Sequence, residues 1–265
     1  NDWIGLMMKD WTHSGRTNLN ISGGGDVAKY FVSATYFSED GIWKGGNLDA
    51  YNSNTTLRRY NFRANTDIKL NTYTDLSLNI GGILVTQNMA GYDSDHLWSW
   101  ILKSGPGDYA PVYPNPDGDG VVYGGSGSHA IRSPYADLFN SGFQTTWNNN
   151  LQSSLILKHS LSWLIEGLAV KGMFSFDADN SHVIQRTREG DLYRATGRDR
   201  FGVPQLTRYW DGQEDLNYNT VSGGDRRIYL QADISYNRIF GKHSVGGLLL
   251  YNQQDFVNAN ANNAI

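Results

Sequence analysis

The chain has 265 residues and a net charge of −4, with 13% aromatic and 18% charged residues and 30 glycines. Because it has no cysteine, a disulfide scaffold, a thiolate zinc site and a cysteine nucleophile are excluded. The slightly acidic charge gives no basic field, which argues against nucleic acid as a partner. Few charges, many aromatics and frequent turn formers favour an all-β protein.

Hydropathy argues against membrane-spanning helices but not against a membrane. The mean hydropathy is −0.49, and no apolar run reaches the length of about 18 residues that a spanning helix needs. In a transmembrane β-barrel only alternate residues face lipid, so its average hydropathy resembles that of a soluble protein. No export signal is visible, and both ends of the chain are expected to lie inside a longer protein.

Alternation of apolar and polar residues predicts about eight strands. The clearest is at 60–70, where the apolar residues occupy even positions and every charge occupies an odd one. In chain order the predicted strands cover residues 18–22, 30–37, 60–70, 76–84, 151–158, 168–176, 228–236 and 245–252.

Short and long connections alternate between these strands. The short ones cover residues 23–26, 71–74, 159–167 and 240–243. The long ones cover residues 38–56, 86–146 and 178–225. Outer-membrane barrels have this asymmetry, with tight periplasmic turns and long extracellular loops. The alternative is a half-buried sheet in a soluble protein, which has no physical reason to put every long loop at one end.

In a barrel of this kind the two faces of each strand meet different surroundings. The residues predicted to face lipid are Phe62, Ile68, Leu78, Ile80, Leu230 and Ile234. The residues predicted to face the lumen are Arg63, Asn65, Asp67, Asn79, Gln231 and Asp233.

Several segments carry a family resemblance in a consistent order. Residues 18–25 read NLNISGGG, residues 29–42 read KYFVSATYFSEDGI and residues 59–67 read RYNFRANTD. Together with 113–118 and 232–243, they are similar to the motifs of SusC/RagA-type TonB-dependent outer-membrane transporters. Asn20 departs from the family pattern, which has Ser at that position.

The resemblance implies part of a large transmembrane antiparallel β-barrel of about 22 strands in the outer membrane of a Bacteroidetes-type bacterium. Residues 1–265 are then expected to be an early-to-middle portion of the barrel, without the plug domain or the C-terminal strands. No part of the sequence carries a TonB box. The coupling machinery is therefore expected in the missing plug region.

The function implied is active import of nutrients, with oligosaccharides as the leading substrate class. The implied partners are a SusD-like surface lipoprotein lid and the TonB-ExbB-ExbD complex acting through the plug. The alternatives are a peptide importer of the same family, a passive porin, a siderophore or cobalamin transporter, and a secreted carbohydrate-binding β-protein.

The sequence contains no dependable catalytic, metal or cofactor constellation. Its six histidines are scattered, and neither a zinc-protease motif nor a phosphate-binding loop is present. Residues 115–120 superficially resemble a calcium loop, but the glutamate such a loop needs downstream is missing. A turn formed by Pro, Asp and Gly is the better interpretation. We therefore expect neither an enzyme nor a cofactor.

The long connections carry the candidate contact residues. Leu97, Trp98, Ile101 and their neighbours recur at helical spacing, which predicts a short amphipathic helix over 95–104. Aromatic rings stack on sugars and also anchor protein interfaces. The candidates for substrate or lid contact are Trp98, Trp100, Tyr109, Tyr113, Tyr123, Tyr193, Tyr209 and Trp210. The alternative is that these aromatics pack the loops against each other.

Overall fold

The protein is described from a computed structural model that covers residues 1–45 and 51–258. Its elements in chain order are α1 (Trp3–Met7), β1 (Ser14–Gly24), β2 (Ala28–Asp40), β3 (Thr56–Asn71), β4 (Thr74–Ala90), α2 (Ser94–Lys103), β5 (Val112–Pro114), β6 (Val121–Tyr123), α3 (Pro134–Phe139), β7 (Gly142–Ser160), β8 (Leu168–Thr187), β9 (Leu192–Arg198), β10 (Pro204–Trp210), β11 (Asn217–Phe240) and β12 (His243–Asn258).

Eight long strands form one antiparallel sheet in the order β1-β2-β3-β4-β7-β8-β11-β12. Each inner strand therefore pairs with the preceding and the following long strand of the chain, as in an up-and-down barrel wall, and β1 and β12 form the two edges. The predicted all-β class and the eight strands are confirmed. Among the described residues, no helix is long and apolar enough to cross a membrane.

Several strands are longer than the sequence indicated. The second long connection covers 91–141 and the third covers 188–216. The alternation fades before these strands end, because residues 179–182 of β8 are polar on both faces. The first long connection covers 41–55, and its residues 46–50 lie outside the described part.

The long connections contain structure of their own. The predicted helix is confirmed as α2, whose first turn is capped by the Asp93 carboxylate accepting from His96 N at 2.8 Å. Two small hairpins, β5–β6 and β9–β10, and the short helices α1 and α3 were not predicted. Each is only three to seven residues long, so its sequence pattern is too brief to be diagnostic.

The register places the six predicted lipid-facing residues on one face of the sheet and the six predicted lumen-facing residues on the other. One row of paired residues on the first, apolar face runs through Tyr30, Thr66, Leu78, Leu155, Phe174 and Leu230. The next row, on the polar face, runs through Phe31, Asn65, Asn79, Ser154, Ser175 and Tyr229.

The continuous apolar stretch on the first face ends obliquely at the long-loop side. On β2 it ends at Tyr36, before Ser38, whereas on β12 it ends at Tyr251, before Gln253 and Asp255. The register puts Tyr251 level with Ala28, eight residues below Tyr36. Eight residues correspond to about 26 Å along a strand and six strand spacings to about 29 Å across, so the edge slopes by about 40°.

Candidate functional site

The first and second long connections and α1 gather at one end of the sheet around a shared apolar core. Its buried members come from four segments of the chain that are distant in sequence. They are Trp3, Met7, Trp43, Ala90, Leu97, Ile101, Tyr109, Leu138 and Phe139. The loops are therefore packed as a body, which we call the loop module.

A charge network centred on the buried Asp137 ties the loop module together. Asp137, only 1% exposed, accepts from Arg132 Nη2 at 2.6 Å and from His96 Nε2 at 2.8 Å. Arg132 Nη1 also pairs with Oε2 of Glu189, which lies in the third long connection, at 3.1 Å. Burial by itself lowers the pKa of the Arg132 guanidinium, but the hydrogen bond and charge of Asp137 outweigh it, and the pKa is raised.

Aromatic rings enclose this network. The Tyr92 ring stacks on His96 at 4.0 Å, and the Arg132 guanidinium lies 5.2 Å from the Trp210 ring centre and 5.6 Å from that of Tyr92. Burial raises the pKa of the Tyr92 hydroxyl to about 12, with the positive charge of Arg132 opposing it. The network thus joins the second and third long connections by charge and by stacking.

A cleft of about 830 Å³ opens between the β5–β6 hairpin, the start of β9 and residues 213–215. Two of the predicted contact residues, Tyr123 and Tyr193, line it, beside amide and carboxylate side chains. The polar lining residues include Asn115, Asp117, Asn140, Arg188, Asp191, Gln213, Glu214 and Asp215. Here two predicted contact aromatics meet several hydrogen-bonding groups in a concave surface.

The other predicted contact residues have different surroundings. Tyr109 and Tyr113 are 6% and 8% exposed, and Tyr109 shares a hydrogen bond with Ser104 at 3.0 Å. Both tyrosines pack the loops against each other, which is the alternative stated above for all the loop aromatics. Burial raises the pKa of Tyr109 to about 12.

The two tryptophans of α2 and the last two residues of β10 are partly exposed. Trp98 packs on Trp43 at 5.5 Å, and Lys103 Nζ lies 4.4 Å from the Trp100 ring centre. Tyr209 and Trp210 both contact the His129 ring, at 5.9 and 5.5 Å. These four residues lie in the loop module but do not line the cleft of Tyr123 and Tyr193.

Residues 115–120 form the turn of the β5–β6 hairpin, as predicted. Asn115 N donates to Gly120 O at 3.1 Å, and the Asn115 side chain accepts from Asp117 N at 3.0 Å. Within the described ranges, no three His, Asp or Glu side chains come close enough together to hold a metal ion.

Comparisons with known proteins were made for sequence and for structure. No protein-family model matches the chain. Two curated relatives from Formosa agariphila, TonB-dependent receptor P26 and TonB-dependent receptor P3, are each 25% identical to it, over 90% and 92% of the chain. The chain spans 22% of the length of each relative.

The fold agrees with that of solved transporters. A structure of the RagAB peptide transporter superimposes with a TM-score of 0.59, covering 96% of this chain and 25% of that one at 16% identity. The RagAB peptide importer in its closed-closed state gives 0.58 over 97% of this chain at 15% identity. In sequence and in fold, the chain is therefore similar to TonB-dependent receptors of the SusC/RagA type.

The eight-stranded antiparallel sheet has the fold of part of the β-barrel wall in these transporters. The relatives and solved structures found in the comparisons are named as receptors and transporters rather than enzymes. The motif resemblance recognised in the sequence is thereby confirmed.

On the polar face of the receptor's sheet, side chains of adjacent strands are linked to each other. Asn79 Nδ2 donates to Ser154 Oγ at 3.2 Å, and Lys171 Nζ pairs with Asp233 Oδ2 at 3.0 Å. Gln231 donates to the same carboxylate at 3.0 Å. The predicted lumen-facing residues Asn79, Gln231 and Asp233 therefore take part in cross-strand or same-face hydrogen bonding.

Sequence reasoning missed the residues that organise the receptor's loop module. The side chain of Arg188 donates to Asn140 O at 3.2 Å and to Glu214 O at 2.6 Å, and the Asp137 network was not foreseen either. Its partners are separated by five to more than fifty residues. Among 22 basic and 26 acidic residues, one sequence offers no signal for such pairs.

Proposed function

We propose that the receptor actively imports oligosaccharides across the outer membrane, and that this chain forms eight consecutive strands of its barrel wall together with three surface loops. The chain spans only 22% of the curated relatives, so the activity belongs to the longer protein. In this proposal the chain contributes wall, lumen surface and binding loops and performs no catalysis.

The apolar face of the sheet meets lipid. Phe62, Leu78, Leu230 and Ile234 are exposed on it, which is unfavourable in water but favourable in hydrocarbon. The slope of about 40° at the edge of this face agrees with the strand tilt of outer-membrane barrels, about 35–45°. A level membrane surface crossing tilted strands would produce this oblique edge.

The polar face lines the lumen, and the long connections lie outside the cell. β7, β8 and β11 have 19, 20 and 24 residues, whereas about ten residues cross a bilayer. These strands therefore extend beyond the membrane on the long-loop side, where polar residues occur on both of their faces, and they support the loop module above the lumen.

The substrate class rests on the cleft between Tyr123 and Tyr193. Aromatic faces stack on the apolar face of a pyranose ring, while amides and carboxylates hydrogen-bond its hydroxyls. Asn115, Asn140 and Gln213 supply the amides beside the two tyrosines. The remaining partly exposed loop aromatics, among them Trp100 and Trp210, suit contact with a SusD-like lipoprotein lid, because Tyr, Trp and Arg dominate protein interfaces.

The partners of this proposal are that lipoprotein lid and the TonB-ExbB-ExbD complex, which would act through a plug domain outside this chain. The test is to purify the full-length receptor from outer membranes in mild detergent and to identify everything bound to it by mass spectrometry. We expect one lipoprotein at equal stoichiometry and a retained glycan. Recovery without a lipoprotein would instead favour a porin or a siderophore or cobalamin transporter.

The role of the cleft is tested by comparing two tyrosine substitutions, one inside the cleft and one outside it. Tyr193→Ala should weaken binding of the retained glycan by roughly two- to tenfold, because an aromatic stacking contact contributes about 0.5–1.5 kcal/mol. Tyr218→Ala, which removes an exposed tyrosine of β11 outside the cleft, should leave binding unchanged. Equal effects of the two substitutions, measured by titration calorimetry, would remove the cleft from the proposal.

Peptides are the second candidate, because the same cleft carries several carboxylates. Asp117, Glu214 and Asp215 line it, and carboxylates pair with the ammonium and guanidinium groups of basic peptides. A retained peptide in the mass spectrum, with affinity that falls as salt rises, would establish this candidate. A retained neutral glycan with salt-independent affinity would exclude it.

A further inference from the structure

The connection between β7 and β8, residues 161–167, differs from the other short connections of the sheet. It is the longest of the four described, which otherwise cover only residues 25–27, 72–73 and 241–242. Three consecutive large apolar residues occupy its tip: Trp163, Leu164 and Ile165 are 62%, 62% and 46% exposed. Exposure of such a cluster to water is unfavourable and is typical of an interaction surface.

The backbone of this connection is ordered by its own hydrogen bonds. Leu164 N and Ile165 N both donate to Leu161 O at 2.9 Å, and Leu168 N donates to Ile165 O at 3.1 Å. A further bond runs from Asn237 N on β11 to Gly167 O at 2.9 Å. The apolar tip is therefore presented by a fixed turn.

The turn leans toward the apolar face of the sheet. Glu166 Oε2 pairs with Arg238 Nη2 at 2.8 Å, and Arg238 shares its face with Leu230 and Ile234, because these positions are an even number of residues apart on one strand. The Arg238 guanidinium also lies 4.9 Å from the ring centre of Phe240, on the same face. The ion pair thus draws the turn over the surface that meets lipid in the proposed barrel.

The turn also lies at the lower limit of that surface. Leu168, at the start of β8, pairs with Tyr236 on the apolar face. The tip extends just beyond this pair, while Arg238 and Phe240 continue β11 to a similar depth. Tryptophan with arginine beside an apolar belt is the combination found at membrane interfaces, where an amphipathic ring or a long cationic side chain reaches the headgroups.

We propose that Trp163, Leu164 and Ile165 insert into the lipid interface of the periplasmic leaflet and anchor this side of the barrel at a fixed depth. The Arg238–Glu166 pair holds the turn against the outer wall, and the lipid headgroups solvate both charges. This inference rests on the barrel orientation proposed above, in which the short connections are periplasmic and the apolar face meets lipid.

The test places an environment-sensitive fluorophore on single cysteines of the full-length receptor, after any native cysteines elsewhere have been replaced. The receptor is reconstituted in phosphatidylethanolamine–phosphatidylglycerol vesicles whose acyl chains carry bromine near the carbonyl end in one preparation and near the middle of the chain in a second. Leu164→Cys reports on the turn, Leu155→Cys on the apolar face, and Lys242→Cys on a short connection without an apolar tip. Iodide in the buffer measures exposure to water.

We expect brominated lipid to quench the label at Leu164→Cys nearly as strongly as at Leu155→Cys, and far more strongly than at Lys242→Cys. Quenching at 164 by iodide but not by lipid would overturn the anchor, and so would protection from both quenchers, which would mean that protein covers the turn. Loss of lipid quenching at 155 would instead contradict the barrel orientation itself.

Discussion

Arg132 holds Asp137 with two nitrogens: Nε lies 3.0 Å and Nη2 lies 2.6 Å from Asp137 Oδ1. Because Asp137 is buried in α3 and Arg132 also reaches Glu189, this pair connects the second long loop to the third. The shape of the loop module therefore depends on the guanidinium of Arg132, which binds the buried carboxylate of Asp137.

Replacement of Arg132 should open the loop module. Arg132→Ala leaves the Asp137 carboxylate buried without its cation, which we expect to lower the free energy of loop opening by about 3–5 kcal/mol. Hydrogen exchange of the full-length receptor should then accelerate in both 91–141 and 188–216, with little change in the membrane strands. Arg200→Ala removes an exposed arginine of the β9–β10 turn and is the matched control. Equal exchange in the two variants would contradict the role assigned to Arg132.

The two faces of β11 should respond differently to arginine. Ile234→Arg places a charge on the apolar face near the middle of the belt and should cost about 2–4 kcal/mol of barrel stability. Ser235→Arg changes the adjacent residue on the polar face and should be tolerated, as should Asn65→Arg on β3. Refolding titrations in urea and lipid vesicles measure the loss of stability in each variant. Similar losses for Ile234→Arg and Ser235→Arg would remove the physical basis for assigning that face to lipid.

Gly142 should not accept a side chain. It begins β7 with φ of +92°, and an added Cβ would collide with the backbone oxygen of Arg186 on β8. Gly142→Ala should therefore cost at least about 1–2 kcal/mol, the penalty of a left-handed conformation, before the collision is counted. Gly172→Ala is the control, because nothing lies within 4 Å of a Cβ at that position. Thermal unfolding of both variants tests the difference.

The loop module should lose stability in strong alkali. Burial raises the pKa of Tyr92 and Tyr109 to about 12, above the ordinary value of 10. Between pH 10 and 12 the folded state therefore binds more protons than the unfolded state, so stability falls as pH rises through this window. Phenolate absorbance should show delayed ionisation that disappears partly in Tyr109→Phe. Loss of one exposed phenol in Tyr73→Phe should leave the delayed phase unchanged.

The wall of the barrel could be predicted from the sequence because its physical signal is local. In β3 the alternation of Tyr60, Phe62 and Ala64 with Asn61 and Arg63 determines which residues share a face, and pairing with the next strand only preserves that division. The alternation ends within β8 and β11, where polar residues occur on both faces. The sequence therefore predicted these strands too short.

The loop module could be predicted only in part, because its organisation depends on distant residues. The spacing of Leu97 and Ile101 indicated the helix α2, but nothing in the sequence indicated that Trp3, Trp43 and Leu138 would form one core with them. The aromatics illustrate this limit, since Tyr113 is buried whereas Tyr123 lines the cleft. Tertiary packing therefore places similar residues, in similar local sequence, in different surroundings.

Because the apolar core lies at the loop end, membrane insertion and the shape of the binding surface depend on different residues. Insertion into the membrane depends on the alternation of the wall strands, whereas the shape of the binding surface depends on the cluster around Leu97 and Leu138. Substitutions in the cluster can alter what the surface recognises while the wall still assembles. Ligand specificity can therefore change through repacking of the loop end alone, without changes in the wall strands.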